Sequence, residues 1–134
     1  MRPDVFISYA HDAGSAEANA LALTLGEAAF LDETTIEDGE EFPPRLIEAL
    51  LDARVVVVFA TSAYAKRLYC RLEVQIAIAA CGPSTKQLVI ALGDGAEEVL
   101  DAMPRDVAAV SWPKAKDTER LEVIVRRRLD GQPA

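Results

Sequence analysis

The chain predicts an α/β fold, a parallel sheet with helices on both faces. Two observations carry this. Short apolar runs of strand length alternate with amphipathic stretches of helical period along all 134 residues. One run, Val55-Val56-Val57-Val58-Phe59, is apolar at every position, as in a central parallel strand buried on both faces. The length suits one domain with one core.

The elements follow in order. Residues 4–9 predict a short strand. Residues 15–29 predict an alanine-rich helix with Ser15 as N-cap, Glu17 in the first turn, and Leu21 and Leu25 one turn apart. Residues 30–32 predict a second strand. Residues 33–41 are polar and contain Gly39, which predicts a loop. Pro43-Pro44 opens a helix, where proline is tolerated in the first turn, with Leu46, Ile47, Leu50 and Leu51 as its apolar stripe. Residues 55–59 are the third strand. Residues 68–81 predict a helix with Leu72, Ile76 and Ala79 inward, stopped by Gly82-Pro83. Residues 87–92 predict a fourth strand, closed by the turn Gly93-Asp94-Gly95. A short helix over 96–102, a fifth strand over 107–110 and a last helix over 117–129 complete the pattern. That helix has Asp117 as candidate cap and Leu121, Ile124 and Val125 as its apolar face. Together these predict a flavodoxin-like three-layer sandwich, a five-stranded parallel sheet in the order 2-1-3-4-5. The ending Gly131-Gln132-Pro133-Ala134 reads as a frayed end or a cut toward a further domain.

Composition excludes several functions. Hydrophobic residues make up 51% of the chain, too many for disorder, yet no apolar run approaches a membrane span. No basic-then-apolar leader opens the chain, and the cysteines Cys70 and Cys81 are too far apart along one predicted helix to bridge. A reducing cytoplasm is the expected setting. One histidine and no clustered cysteines give a metal site no support. A net charge of -8 argues against nucleic acid, and Arg126-Arg127-Arg128 suits the C-terminal end of a helix dipole.

In the predicted strand order the topological switch lies between strands one and three, and ligands bind outside their carboxyl ends. The loops there, 10–14 and 60–68, bring Tyr9, His11, Asp12, Thr61, Ser62, Tyr64, Tyr69 and Glu73 around one crevice. Helical spacing of four places Tyr69 and Glu73 on one face. Phospho-acceptor chemistry is excluded, because strand three ends in Phe59-Ala60-Thr61 rather than an aspartate. Ala10-His11-Asp12-Ala13-Gly14-Ser15 is a poor phosphate loop for a flavin. No G-x-G-x-x-G, P-loop or G-x-S-x-G is present.

Four segments, in order and correctly spaced, resemble the Toll/interleukin-1 receptor/resistance (TIR) domain family. Asp4-Val5-Phe6-Ile7-Ser8-Tyr9 is similar to its opening box. Phe30-Leu31-Asp32, with Ile36 and Gly39 at +4 and +7 from the aspartate, is similar to the end of strand two and the "BB" loop. Leu46-Ile47-Glu48-Ala49-Leu50, with Ala53-Arg54 leading into the third strand, is the third segment. Tyr64, Tyr69-Cys70 and Glu73 resemble the family's Tyr…Trp-Cys-x-x-Glu, and Trp112 also fits. The resemblance covers nearly the whole chain, as a single domain over 1–134 excised from a longer multidomain chain.

The family includes silent adaptors and enzymes that cleave the nicotinamide–ribose bond of NAD. By resemblance, Glu73 is the catalytic glutamate, Tyr69 takes the tryptophan position, and Tyr9, Ala10 and His11 line the nucleotide site. Ala10 stands where basic residues are common, Arg67 replaces the usual serine between Tyr64 and Tyr69, and Thr61 stands where serine is frequent. Asp32, Thr35, Ile36 and Glu37 flank the substrate or an adjacent subunit. Glu33, Thr34, Ile36, Glu37, Asp38 and Gly39 form the BB-loop interaction surface. The resemblance implies NAD as substrate with no resident cofactor, ADP-ribose or a cyclic isomer as product, and anti-phage immune signalling or NAD depletion. It also implies self-association and a fused or partner regulatory domain.

Plainer accounts stand beside these. A glutamate early in a helix serves helix propensity and dipole. Tyr69 alone reads as half-buried core, His11 as a solvated loop residue, and Asp32 as a loop cap. Cys70 reads as a small buried residue, and Glu37-Asp38-Glu40-Glu41 as a solvated acidic loop. Arg54 reads either as the ion-pair partner of Asp52 or Glu48, or as a phosphate contact. Two further readings of the whole chain remain: a non-enzymatic TIR–TIR interaction module, and a binder of another nucleotide.

Overall fold

The computed structural model describes residues 4–10, 15–31, 44, 48–49, 52–66 and 88–130. At its centre is β3 (Val55–Ala60), buried at all six positions. To one side lies β1 (Val5–Ser8), and beyond it β2 (Ala29–Leu31); to the other side lies β4 (Leu88–Leu92). All pairs are parallel and the order is β2-β1-β3-β4. The first four places of the predicted order are therefore as expected.

A strand alternates its side chains between two faces, and the core divides accordingly. Val5, Ile7, Val55, Val57, Phe59, Val89 and Ala91 face one layer. That layer is built from α1 (Ser15–Leu25) and from the last helix, Thr118–Leu129, called α5 below. Phe6, Val56, Val58, Ala60, Leu88 and Ile90 face the other. Its helices are α2 (Ser62–Lys66), α3 (Ala96–Leu100) and α4 (Arg105–Ala108), which contribute Tyr64, Ala96, Val99 and Val107 to the core.

The helices follow from their sequences. In α1, Ala18, Leu21 and Leu25 make the buried stripe; the helix stops where Gly26 takes φ 63°, and a tight turn, Gly26–Ala28, leads into β2. This is why the helix expected over 15–29 is shorter. In α5, Asp117 caps the first turn, its carboxylate accepting from the Arg120 amide at 3.2 Å, while Leu121 and Val125 are buried. Helical backbone at Pro44, Glu48, Ala49 and Asp52 agrees with the helix expected after Pro43-Pro44.

Two expectations need correction. The strand expected over 107–110 is instead the end of α4 followed by a turn. Pro104 presets the turn, and the Val107 and Ala108 amides bond back to its carbonyl at 3.1 and 3.0 Å. The Trp112 indole then donates to the Val107 carbonyl at 2.9 Å, which fixes this turn against the core. The place beside β4 is taken instead by 113–115. Leu92 donates to Pro113 and accepts from Ala115, both at 2.9 Å, around a single parallel bridge from Leu92 to Lys114. Four strands, not five, stand among the described residues. The second correction concerns the loop expected over 60–68. It contains α2, because Thr61 Oγ1 accepts from the Tyr64 amide at 3.1 Å and starts a helical turn.

The expected 33–41 loop and 68–81 helix, the Gly82-Pro83 stop, and Leu46, Ile47, Leu50 and Leu51 lie outside the described residues. Among the described residues no helix is long and apolar enough to cross a membrane.

Candidate functional site

β1 pairs with β2 on one side and β3 on the other, so the strand order reverses between β1 and β3. The carboxyl ends of these two strands define the crevice where open α/β sheets bind ligands. Ser8 and Val58 are partners in the last shared register position. Beyond them the chain continues into Tyr9 and Ala10 from β1, and into Ala60 and Thr61 from β3.

Alternation sends the two β1 residues apart. Tyr9 is buried in the layer with α1 and α5; Ala10 is fully buried in the opposite layer, in the cluster that holds Tyr64. Ser8 shares Ala10's side of the strand, and its Oγ lies 2.7 Å from the Tyr64 phenol oxygen. Both residues are closed to solvent, at 0% and 1% exposure, which makes this a buried hydroxyl pair across the switch point.

Thr61 ends β3 and has two structural tasks. Its hydroxyl accepts from the Tyr64 amide, and its methyl sits where a Cβ on Gly93 would come within 2.8 Å. Ser62 donates its amide to the Asp94 carbonyl at 2.9 Å, and Gly93 donates to the Ala60 carbonyl at 2.9 Å. Gly95 has φ 79° and lies directly against Ser62; a Cβ there would come 2.9 Å from Ser62 Cβ and 3.0 Å from its amide nitrogen. The turn after β4 and the turn after β3 are thus locked together by backbone contact that only glycine permits.

Among the sequence-predicted site residues, Tyr9, Ala10 and Thr61 fall at this end of the sheet. His11, Asp32, Thr35, Ile36, Tyr69 and Glu73, with the remaining BB-loop positions Glu33, Thr34, Glu37, Asp38 and Gly39, lie outside the described residues. Ser8 was not singled out by the sequence as a site residue. Its signal is a hydroxyl in an otherwise apolar strand, Val5-Phe6-Ile7-Ser8. Among the described residues no three or more His, Cys, Asp or Glu side chains gather as a metal-holding group.

Arg54 has its place at the opposite end of the sheet. Its guanidinium donates to the Leu129 carbonyl at the C-terminus of α5. That contact serves helix capping and the dipole.

The comparisons agree with this architecture. A family model for the TIR domain matches residues 5–125. The fold is similar to a metazoan TIR-STING receptor from C. gigas, with TM-score 0.66 and 17% identity over 98% of this chain and 41% of that one. It is also similar to the TIR domains of the activated Roq1 resistosome directly recognizing the pathogen effector XopQ. There the TM-score is 0.59 and the identity 18%, over 96% of this chain and 98% of that one. The chain therefore spans less than half of the TIR-STING chain it matches. A comparison with curated proteins finds no match. With the family model covering nearly its whole length and the parallel sheet in the order β2-β1-β3-β4, the chain belongs to the TIR-domain family.

Proposed function

We propose that this TIR domain is an NAD glycohydrolase with Glu73 as its catalytic carboxylate. One observation supports the reading: the strand order reverses between β1 and β3, and in sequence the Tyr69-Cys70-Arg71-Leu72-Glu73 segment follows α2, which itself follows β3. Glu73 follows the end of α2 by seven residues.

The chemistry suits one carboxylate. The bond between the ribose C1′ and the pyridinium nitrogen breaks, and its electron pair stays on nitrogen, so nicotinamide leaves neutral. No general acid is needed, in contrast to the departure of a sugar alkoxide. Positive charge develops on C1′ and the ring oxygen. Glu73 holds the ribose hydroxyls and stabilises that charge, and Tyr69 forms an apolar wall that excludes water. Attack by water on C1′ gives ADP-ribose; attack by a nitrogen of the adenine base gives a cyclic isomer. In this reading the remaining substrate-binding residues are Tyr9, Ala10, His11, Asp32, Thr35, Ile36 and Thr61.

Self-association belongs to this reading. The likeness to TIR domains of an activated resistosome supports an assembled working state, with the BB loop as the contact, and a role in cytoplasmic immune signalling. The chain's span of less than half the TIR-STING chain supports a fused or partner domain that drives assembly. The test is NAD turnover at high protein concentration, followed by chromatography of the products. Wild type should release nicotinamide, and Glu73→Ala should lose at least about a hundredfold in rate. An inert wild type under forced clustering, or a fully active Glu73→Ala, refutes the assignment.

The departures at Ala10 and Tyr69 favour a second reading, a non-enzymatic interaction module docked through the BB loop. Loss of assembly in Ile36→Ala, with no NAD cleavage by any form, would establish it.

A further inference from the structure

We infer that the outer face of α1 and α5 is a docking surface for a second copy of this chain, with Leu23 of each copy on Val123 of the other. This contact is separate from self-association through the BB loop and rests neither on that loop nor on the NAD-cleaving reading.

α1 is composed unlike a surface helix. Of its 11 residues, Glu17 alone is charged. A helix with one face in water normally carries charges on that face. Here the face turned away from the core holds Ala16, Ala20 and Leu23, at the i, i+4, i+7 spacing of a single stripe. Leu23 is 85% exposed. Two polar side chains of α1 bond back to the helix itself. Asn19 donates to the Ser15 carbonyl at 2.7 Å, and Thr24 donates to the Ala20 carbonyl at 3.0 Å. Val123 of α5 is the other large apolar residue exposed among the described residues, at 48%.

The two residues belong to one surface. α1 follows the carboxyl end of β1, and α5 follows the bridge from Leu92 to Lys114 at the carboxyl end of β4. Both helices therefore run toward the amino end of the sheet, packed side by side. Arg126 of α5 donates to the Thr24 carbonyl of α1 at 3.4 Å, which sets Leu23 and Val123 at similar heights. Single apolar residues on a surface are ordinary; two at one height on neighbouring helices form a patch. Charge favours a second copy as its occupant. One turn beyond Leu23 stands Glu27, and one turn beyond Val123 stands Arg127, both exposed and opposite in sign. A two-fold axis running between α1 and α5, parallel to both, lays each α1 on the partner's α5. Leu23 then meets Val123 and Glu27 meets Arg127, twice over, as an isologous contact requires. Copies of net charge -8 repel one another overall, so a self-contact needs local cations; α5 supplies Arg120 and Arg127 on its exposed side.

The test is sedimentation equilibrium of the full chain, from about 10 μM to about 1 mM. Wild type should pass from monomer to dimer over that range. Leu23→Glu and Val123→Glu should each raise Kd at least about tenfold. Both side chains are exposed, so Tm should stay within about 2 °C of wild type. Glu27→Arg and Arg127→Glu should each raise Kd roughly tenfold, and the two reversals in one chain should return it to within about threefold of wild type. Wild type that stays monomeric at the top of the range overturns the inference. Association that Leu23→Glu and Val123→Glu leave within about twofold also overturns it, because the contact then lies elsewhere. A double reversal as weak as its singles overturns the two-fold pairing. NAD turnover is read separately. A chain that dimerises through this face without cleaving NAD upholds the docking surface while the enzymatic reading falls; a chain that cleaves NAD but fails the sedimentation test does the reverse.

Discussion

The two ends of the sheet are held by different chemistry. At the amino end the side-chain fastenings are charged. Arg54, just before β3, donates to the Leu129 carbonyl, and Arg128 donates to the Leu88 carbonyl at 2.8 Å. The Arg128 guanidinium also lies 5.7 Å from the centre of the Trp112 ring. At the carboxyl end, the fastenings among the described residues are neutral: the hydroxyls of Ser8, Tyr64 and Thr61, and the backbone contacts of Gly93 and Gly95. Charge-assisted hydrogen bonds are roughly twice as strong as neutral ones and act over longer range. Placed at the amino end, they tie α5 to the sheet without imposing a fixed positive field on the crevice. At the other end the neutral fastenings add no net charge beside the switch point.

This contrast can be broken by substitution, beginning with the largest effect on stability. Gly95→Ala forces a Cβ against Ser62 at a backbone φ of 79°. The combined strain should cost about 3 kcal/mol and lower Tm by about 10 °C in thermal unfolding. A Tm within about 2 °C of wild type would show that the two turns are not locked together. Next comes the amino end. Arg128→Met keeps the aliphatic stem and removes the bond to Leu88 and the cation over Trp112; it should cost about 2 kcal/mol. Its NAD turnover per folded molecule should equal that of wild type. A loss of turnover per folded molecule in Arg128→Met would erase the distinction between the ends. The smallest effect belongs to Asp117→Ala, which removes the cap of α5. It should cost about 1 kcal/mol by chemical denaturation, with no change in turnover.

How much of this was legible in the sequence depends on the range of the interaction. β3 was legible because a run of apolar residues has few alternatives in a βαβ pattern. The cap at Asp117 and the stripe of Leu121 and Val125 were legible because both are local. Val107-Ala108-Ala109-Val110 misled because four apolar residues show neither the period of a helix nor that of a strand. Pro104 and the distant indole of Trp112 decide that segment. The switch point between β1 and β3 followed from strand order, and Thr61 and Tyr64 fall in the segment that follows β3, though both are buried. Ser8 passed unnoticed because its meaning is a bond to a residue 56 positions away, which no local pattern encodes. The glycine turn was recognised as a turn, yet its grip on Ser62 depends on the docking of β4 beside β3.

The most direct test of the central claim is the product profile of wild type and Glu73→Ala with NAD, measured on artificially clustered protein. The account predicts stoichiometric nicotinamide with ADP-ribose or a cyclic isomer from wild type, and none above background from the variant. Intact NAD in both samples, or equal product in both, would contradict it.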